Sequence, residues 1–62
     1  MKNEKFLKDL IAYKKSERDG LIEWSTKYAG MGDVKMAARL LDRVIDADAE
    51  LAELEAELAE LA

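Results

Sequence analysis

The 62-residue sequence is long enough for one small domain, and at this length folding removes only roughly 60% of the surface that the unfolded chain exposes. It contains no Cys and no His, which excludes disulfides and the usual structural zinc ligands. Half of the residues are hydrophobic and 39% are charged, so the chain is too apolar to be disordered. We expect a folded chain that is stabilised by tight helix packing or by oligomerisation.

The net charge of −4 is unevenly distributed along the chain. Residues 1–43 hold all ten Lys and Arg residues against seven acids, a balance of +3, whereas residues 44–62 hold seven acids and no base. Opposite charges in the two parts predict that they contact each other, and the alternative is that each forms a solvated helix face.

The sequence lacks the pattern of a secreted or membrane protein. Charged residues interrupt the apolar positions near the amino terminus, so no signal peptide is visible. No run approaches the ~18 apolar residues that a membrane span requires. We expect a cytoplasmic protein that does not bind a membrane.

The first predicted helix covers about residues 3–29. Asn3 is a suitable N-cap, and apolar residues then recur at helical spacing. Gly20 lies inside this helix, where a glycine costs ~1 kcal/mol relative to Ala. It could break the helix, kink it or let another backbone approach; we expect a continuous or mildly kinked helix.

A short loop at about residues 30–32 separates the two predicted helices. Gly30 suits the left-handed position after a helix, and Asp33 can cap the helix that follows. A loop this short predicts an antiparallel all-α hairpin.

The second predicted helix covers about residues 33–61 and carries a coiled-coil heptad pattern. The apolar positions alternate at spacings of three and four residues: Ala37, Leu40, Val44, Ala47, Leu51, Leu54, Leu58 and Leu61. The stripe is broad up to Ile45 and narrow beyond Asp46. Parallel pairing with a second copy would bring like charges together, so folding back on the first helix is favoured.

In a hairpin centred near Met31, residue i lies opposite residue 62 − i. This register places Phe6, Leu7 and Leu10 at the level of Ala52 to Glu55. It also predicts that three lysines flank three glutamates: Lys2, Lys5 and Lys8 against Glu53, Glu57 and Glu60.

A hairpin alone leaves a set of apolar residues incompletely covered: Leu21, Trp24, Tyr28, Leu40, Leu41 and Ile45. Exposed apolar patches of this size mark an interface. A homodimeric four-helix bundle is the simplest way to cover this patch, and a higher oligomer is the alternative.

Trp24 and Tyr28 are typical of a core or of an oligomer interface. The more specific hypothesis is that they form a binding hot spot for another protein.

Polar residues interrupt the apolar pattern of the first helix at Lys14, Glu17 and Arg18, and Asp48 interrupts that of the second. The 62 − i register places Lys14 opposite Asp48, and we call these four residues the polar waist. The first interpretation is a salt-bridge layer that fixes register. The second is a site for a small anionic ligand or nucleotide, bound by Lys14 and Arg18 with Tyr13 stacking nearby. In the third interpretation, the side chains of the polar waist only extend to carry their charged groups into water.

Catalysis has little support in the residue types present. Ser16 and Ser25 have no activating base nearby, and a carboxylate-bridged metal centre would need acids from several helices. We expect no enzyme, no cofactor and no metal.

A basic stripe at Lys35, Arg39 and Arg43 could bind nucleic acid, but the acidic overall charge makes this partner less favoured.

Residues 33–45, DVKMAARLLDRVI, resemble the second helix of the small two-helix sporulation phosphatases, although Ala38, Arg39 and Leu40 replace polar residues of that family's pattern. Membership is therefore not predicted. In size and in lacking cofactor motifs, the chain resembles the compact inhibitors and regulators of phages and mobile elements. The sequence thus favours a small non-enzymatic binding or regulatory protein that acts as a homo-oligomer, with a host protein as the target.

Overall fold

The computed structural model describes residues 3–61, which form two antiparallel helices, α1 (Glu4–Gly30) and α2 (Val34–Leu61). The predicted all-α hairpin is confirmed. Helix α1 continues through Gly20 without a break. No helix between residues 3 and 61 is both long and apolar enough to cross a membrane.

The start of α1 is capped by Asn3. Its Oδ1 accepts a hydrogen bond from the backbone N–H of Phe6 at 2.8 Å, and its carbonyl accepts one from Leu7 at 3.0 Å. These bonds satisfy donors that the first turn of a helix otherwise leaves unpaired. The predicted N-cap is confirmed.

The turn between the helices is held by two backbone hydrogen bonds that close the end of α1. Gly32 N–H donates to Ala29 O at 3.0 Å, and Asp33 N–H donates to Tyr28 O at 2.9 Å, which is the Schellman pattern. The left-handed residue is Gly32, with φ of 85°, and not Gly30 as predicted. Gly30 instead completes the last turn of α1, so the turn is centred one residue later than expected.

The helices pack along one seam, which on α2 follows the predicted heptad. On α1 the seam consists of residues spaced by four and three that are buried or half-buried: Leu7, Ile11, Lys14, Arg18, Leu21, Ser25 and Tyr28. Seven of its eight positions are buried or half-buried, from Ala37 to Leu58, and Leu61 is exposed. The core lies at the end far from the turn, where Leu7 and Ile11 pack with Leu51 and Leu54. Near the turn the fully buried seam residues are small: they are Ala37 and Ser25, and the Oγ atom of Ser25 donates a hydrogen bond to Ile22 O at 2.7 Å.

The hairpin is elongated, with Cα extents of 45 × 15 × 15 Å and a radius of gyration of 14.2 Å. A compact domain of this length would have a radius of gyration of about 11 Å. Two helices side by side can bury only one stripe each, so the remaining apolar residues stay at the surface.

The register differs from the predicted 62 − i. Lys14 contacts Glu50 and Arg18 contacts Asp48, because the turn centre lies near Gly32 rather than Met31. Lys5 and Lys8 were expected to flank acids of α2, and this is wrong. They form ion pairs within α1, with Asp9 and Glu4, at 2.9 Å each. Lys2 lies outside the described residues.

Candidate protein-interaction site

An apolar groove of about 400 Å³ runs between the helices in the half of the hairpin nearest the turn. Its apolar walls are side chains of both helices, and two charged residues stand at the end far from the turn. The lining residues are Leu21, Trp24, Tyr28, Met36 and Leu40, with Gly20, Glu17 and Arg43. A concave apolar surface with a few polar groups at its edge is typical of a binding site.

Trp24 is the largest side chain of the groove and is 53% exposed. Its ring centroid lies 6.1 Å from that of Tyr28, with the ring planes tilted by 38°. The Nζ atom of Lys27 lies 4.7 Å from the Trp24 ring centroid, within the range of a cation–π contact. The indole is therefore supported by neighbours on its own helix while much of its surface remains in solvent.

The six residues that the sequence proposes for an interface do not form one surface. Four of them, Leu21, Trp24, Tyr28 and Leu40, line the groove. Leu41 and Ile45 are 48% and 66% exposed and are absent from its lining.

Leu41 and Ile45 belong to the other side of the hairpin. Each of them comes one position after a seam residue of α2, and Ile22 likewise comes one position after a seam residue of α1. The groove residues Trp24 and Met36 instead come one position before a seam residue. Residues one before and one after the seam lie on opposite flanks of a helix. We call Ile22, Leu41 and Ile45 the second apolar surface.

A smaller, polar pocket of about 160 Å³ continues the groove away from the turn. It is lined by Arg43 and by three carboxylates, those of Glu17, Asp46 and Glu50. Glu17, predicted as part of the polar waist, therefore lies at the junction of both pockets. The predicted contact between the basic and the acidic part of the chain is made beside this pocket, by the pairs Lys14–Glu50, Lys15–Glu55 and Arg18–Asp48.

The other residues of the polar waist form ion pairs across the seam. Lys14 Nζ lies 2.6 Å from Glu50 Oε2, and Arg18 Nη1 lies 3.4 Å from Asp48 Oδ1. The predicted pairing of Lys14 with Asp48 is therefore wrong, for the register reason given above.

The ion pairs perturb both cations. A hydrogen bond to Glu50 raises the pKa of Lys14 above its usual value, and one to Asp19 raises the pKa of Arg18. Both side chains are thus held in their charged form by carboxylates of the same chain. This arrangement fits a register-fixing layer more closely than an open anion site.

Tyr13, the third residue of the predicted anion site, does not form either pocket with Lys14 and Arg18. It is 62% exposed and lines neither pocket. Among the described residues no group of three or more acids is placed to hold a metal ion.

The basic stripe at Lys35, Arg39 and Arg43 is exposed along α2. Within the described part of the chain, none of the three forms an ion pair closer than 4 Å. Arg43 alone among them faces the groove. The stripe is thus continuous with the groove at one end only.

Two residues that line the groove, Met36 and Gly20, are not among the interface residues predicted from the sequence. Met36 precedes the seam residue Ala37 by one position, and this offset from the heptad is the signal that would have identified it. Gly20 lines the groove, and a Cβ atom built on it would have no atom within 4 Å. Its role in the groove depends on side chains of both helices, which a sequence pattern does not place.

Compared with protein-family models, with curated proteins and with solved structures, the chain shows no significant match.

Proposed function

We propose that the protein is a small, non-enzymatic binding or regulatory protein that acts as a homo-oligomeric helical bundle. The observation that carries this proposal is the apolar groove with the half-exposed Trp24 at its edge. Solvent-exposed aromatic residues in an apolar depression carry much of the energy of protein association where they are buried by a partner.

The small core supports the same proposal. Among residues 3–61, the buried core cluster consists of Leu7, Ile11, Leu51 and Leu54. Several larger apolar side chains, among them Phe6, Trp24 and Met31, remain at least half exposed. Association of chains would bury this surface and add the stability that two helices lack.

Sedimentation equilibrium tests the oligomer. We expect a mass that is a multiple of the 7.0 kDa chain at micromolar concentration. Trp24→Glu places a charge in the groove and should shift the mass towards one chain. Ile22→Glu, on the second apolar surface, is the matched control and should leave the mass unchanged. A folded wild-type monomer across the accessible concentrations would contradict the proposal.

For the regulatory role, we propose inhibition of a host protein through the second apolar surface. Ile22, Leu41 and Ile45 lie outside the groove and remain accessible when the groove is occupied. A photo-crosslinking residue at Leu41 should capture one defined protein in host cells, and the same residue at the exposed Ser16 should not. Equal capture at both positions would remove the support for a target at this surface.

A further inference from the structure

We propose that the groove side of the hairpin docks a second copy of the same chain about a two-fold axis, with α1 antiparallel to α1 and α2 antiparallel to α2. The proposal rests on the self-association stated above. It specifies which side of the hairpin forms the contact, the relative direction of the two copies and the register in which their residues pair.

Helix α1 carries a second apolar stripe beside its seam with α2. We call it the outer stripe, and its members on α1 are spaced by four and three residues: Phe6, Leu10, Tyr13, Glu17, Gly20 and Trp24. Lys27 takes the next position of this spacing, and Met31, the C-cap residue just beyond α1, extends the stripe. Up to Trp24, each member precedes a seam position by one residue, so the two stripes lie about 100° apart on the helix. A helix in a four-helix bundle needs two contact stripes at such an angle, one for each neighbour.

The outer stripe has no partner within the hairpin over most of its length. Phe6 is 50% exposed, Tyr13 62%, Trp24 53% and Met31 68%. At Gly20 nothing lies within 4 Å of a built Cβ atom. A glycine inside a helix costs ~1 kcal/mol relative to Ala, and a second helix that approaches closely at this point would explain the residue.

The outer stripe is complementary to itself when two copies run antiparallel. Its midpoint lies between Glu17 and Gly20. About this point, Tyr13 of one copy meets Trp24 of the other, and Phe6 meets Met31. Aromatic pairs and sulfur–aromatic contacts are both favourable. Glu17 meets Gly20, where the missing side chain leaves room for it.

Helix α2 is complementary to itself on the same side of the hairpin. The residues that precede its seam positions change sign along the helix, from Arg39 and Arg43 to Asp46, Glu50 and Glu53. Antiparallel packing of two copies places the arginines of each beside the carboxylates of the other. Arg39 and Arg43 have no ion pair within the described residues of their own chain.

A single two-fold axis can relate both the α1 pair and the α2 pair of the dimer. The sign change on α2 falls between Arg43 and Asp46, and the midpoint of the outer stripe falls beside Glu17. These three residues line the same small pocket, so the two centres lie at the same level of the hairpin. A parallel arrangement would instead place acid beside acid along α2, which is unfavourable.

The dimensions of the hairpin indicate how long the contact in such a dimer must be. A stable interface buries about 800 Å² per partner. The hairpin is 45 Å long and 15 Å wide on its Cα atoms, so only contact along most of its length reaches that area. Pairing over the whole outer stripe provides such contact, whereas pairing at the groove alone does not.

Cysteine cross-linking tests the register, because the natural chain contains no Cys. Mixed Tyr13→Cys and Trp24→Cys chains should form a disulfide between different chains within the dimer. Each variant alone should not, because residues 13 of the two copies are about 16 Å apart along the helix axis. Tyr13→Cys mixed with Ile22→Cys is the matched control and should stay reduced. Cross-linking in the control but not in the first mixture would overturn the proposal.

Charge reversal tests the direction without altering the apolar stripe. Arg39→Glu should raise the dimer dissociation constant roughly tenfold or more, since it places like charges together. Adding Glu53→Lys should restore it in part, because Glu53 lies one turn from Glu50, which the axis places opposite Arg39 and which is already paired with Lys14 of its own chain. The two residues are about 21 Å apart within one helix, so such a rescue can occur only between chains.

The outcomes separate the two proposals. A wild-type chain that sediments as a folded monomer overturns both the function and the docking mode. A wild-type oligomer with no Tyr13–Trp24 cross-link and no charge rescue leaves the function standing and overturns the docking mode.

Discussion

Arg18 and Asp48 face each other across the hairpin, with 3.4 Å between Nη1 and Oδ1, and the same guanidinium also contacts Asp19 at 3.1 Å. Arg18 and the neighbouring Lys14 are the two charged residues among the seam positions of α1. The charged layer therefore divides the molecule into a core at the far end and a groove near the turn. Charged residues at these seam positions reduce the apolar area that the two helices can bury against each other.

Replacing a charged seam residue with an apolar one should stabilise the hairpin. Lys14→Leu extends the seam between Ile11 and Leu21, and the expected rise in Tm is a few degrees, measured by circular dichroism. Exposed ion pairs contribute little, so losing the contact with Glu50 is outweighed by the burial of leucine. Lys15→Leu, at an exposed flanking position, is the control and should change Tm little. A lower Tm for Lys14→Leu would show that the ion pair dominates.

The pKa of Lys14 should depend on Glu50. The hydrogen bond between them raises the pKa of Lys14 above 10.5. In Glu50→Gln the pKa should fall back towards that value, as followed by NMR titration of the lysine side chain.

The sign of the effect on stability follows from the same shift. A raised pKa in the folded state means that the contribution of Lys14 to stability is fully present below pH 10.5 and is lost as the pH rises through the raised value. The difference in stability between the wild type and Glu50→Gln should therefore vanish at high pH. A difference that grows with pH would contradict this assignment.

The turn should be sensitive at two adjacent residues. Asp33 Oδ1 accepts a hydrogen bond from Met36 N–H at 3.1 Å, so Asp33→Ala should lower the free energy of unfolding by about 1 kcal/mol. Gly32 has φ of 85°, and Gly32→Ala should cost about 1–2 kcal/mol. Asp42→Ala, an exposed position inside α2, is the control and should change the free energy by less than about 0.5 kcal/mol. Urea unfolding at fixed protein concentration measures all three.

Much of the fold follows from the sequence because it depends on local rules. The cap at Asn3, the cap at Asp33 and the heptad from Ala37 to Leu58 are each set by residues within one or two helical turns. The register is not local. It depends on whether Gly30 or Gly32 takes the left-handed conformation, and a shift of the turn centre by one residue changes every pairing across the hairpin.

The site was predicted less completely than the fold. Trp24 and Tyr28 are recognisable from their size and spacing. Whether Leu41 joins them depends on which flank of the seam it occupies, and this follows from the packing of the two helices rather than from apolar character. Gly20 stands out in the sequence as a possible break, kink or point of close approach, but its place in the groove depends on side chains of both helices.

Gly20 should respond differently in the two association states. In a dissociated chain, Gly20→Ala should stabilise the helix by about 1 kcal/mol, since the added methyl group meets nothing within 4 Å. In the dimer the same methyl group intrudes where Glu17 of the second copy approaches. The gain in Tm should therefore shrink as protein concentration rises. A gain that is independent of concentration would argue against close approach at Gly20.

Trp24 is the only tryptophan, so its fluorescence reports on the outer stripe and the groove directly. The most direct measurement is therefore its emission maximum and its quenching by acrylamide across a dilution series, with the mass determined on the same samples. Burial by a second copy predicts a blue shift and reduced quenching that rise together with the mass. A chain that associates while Trp24 stays as accessible as in the dilute samples would contradict the proposed surface.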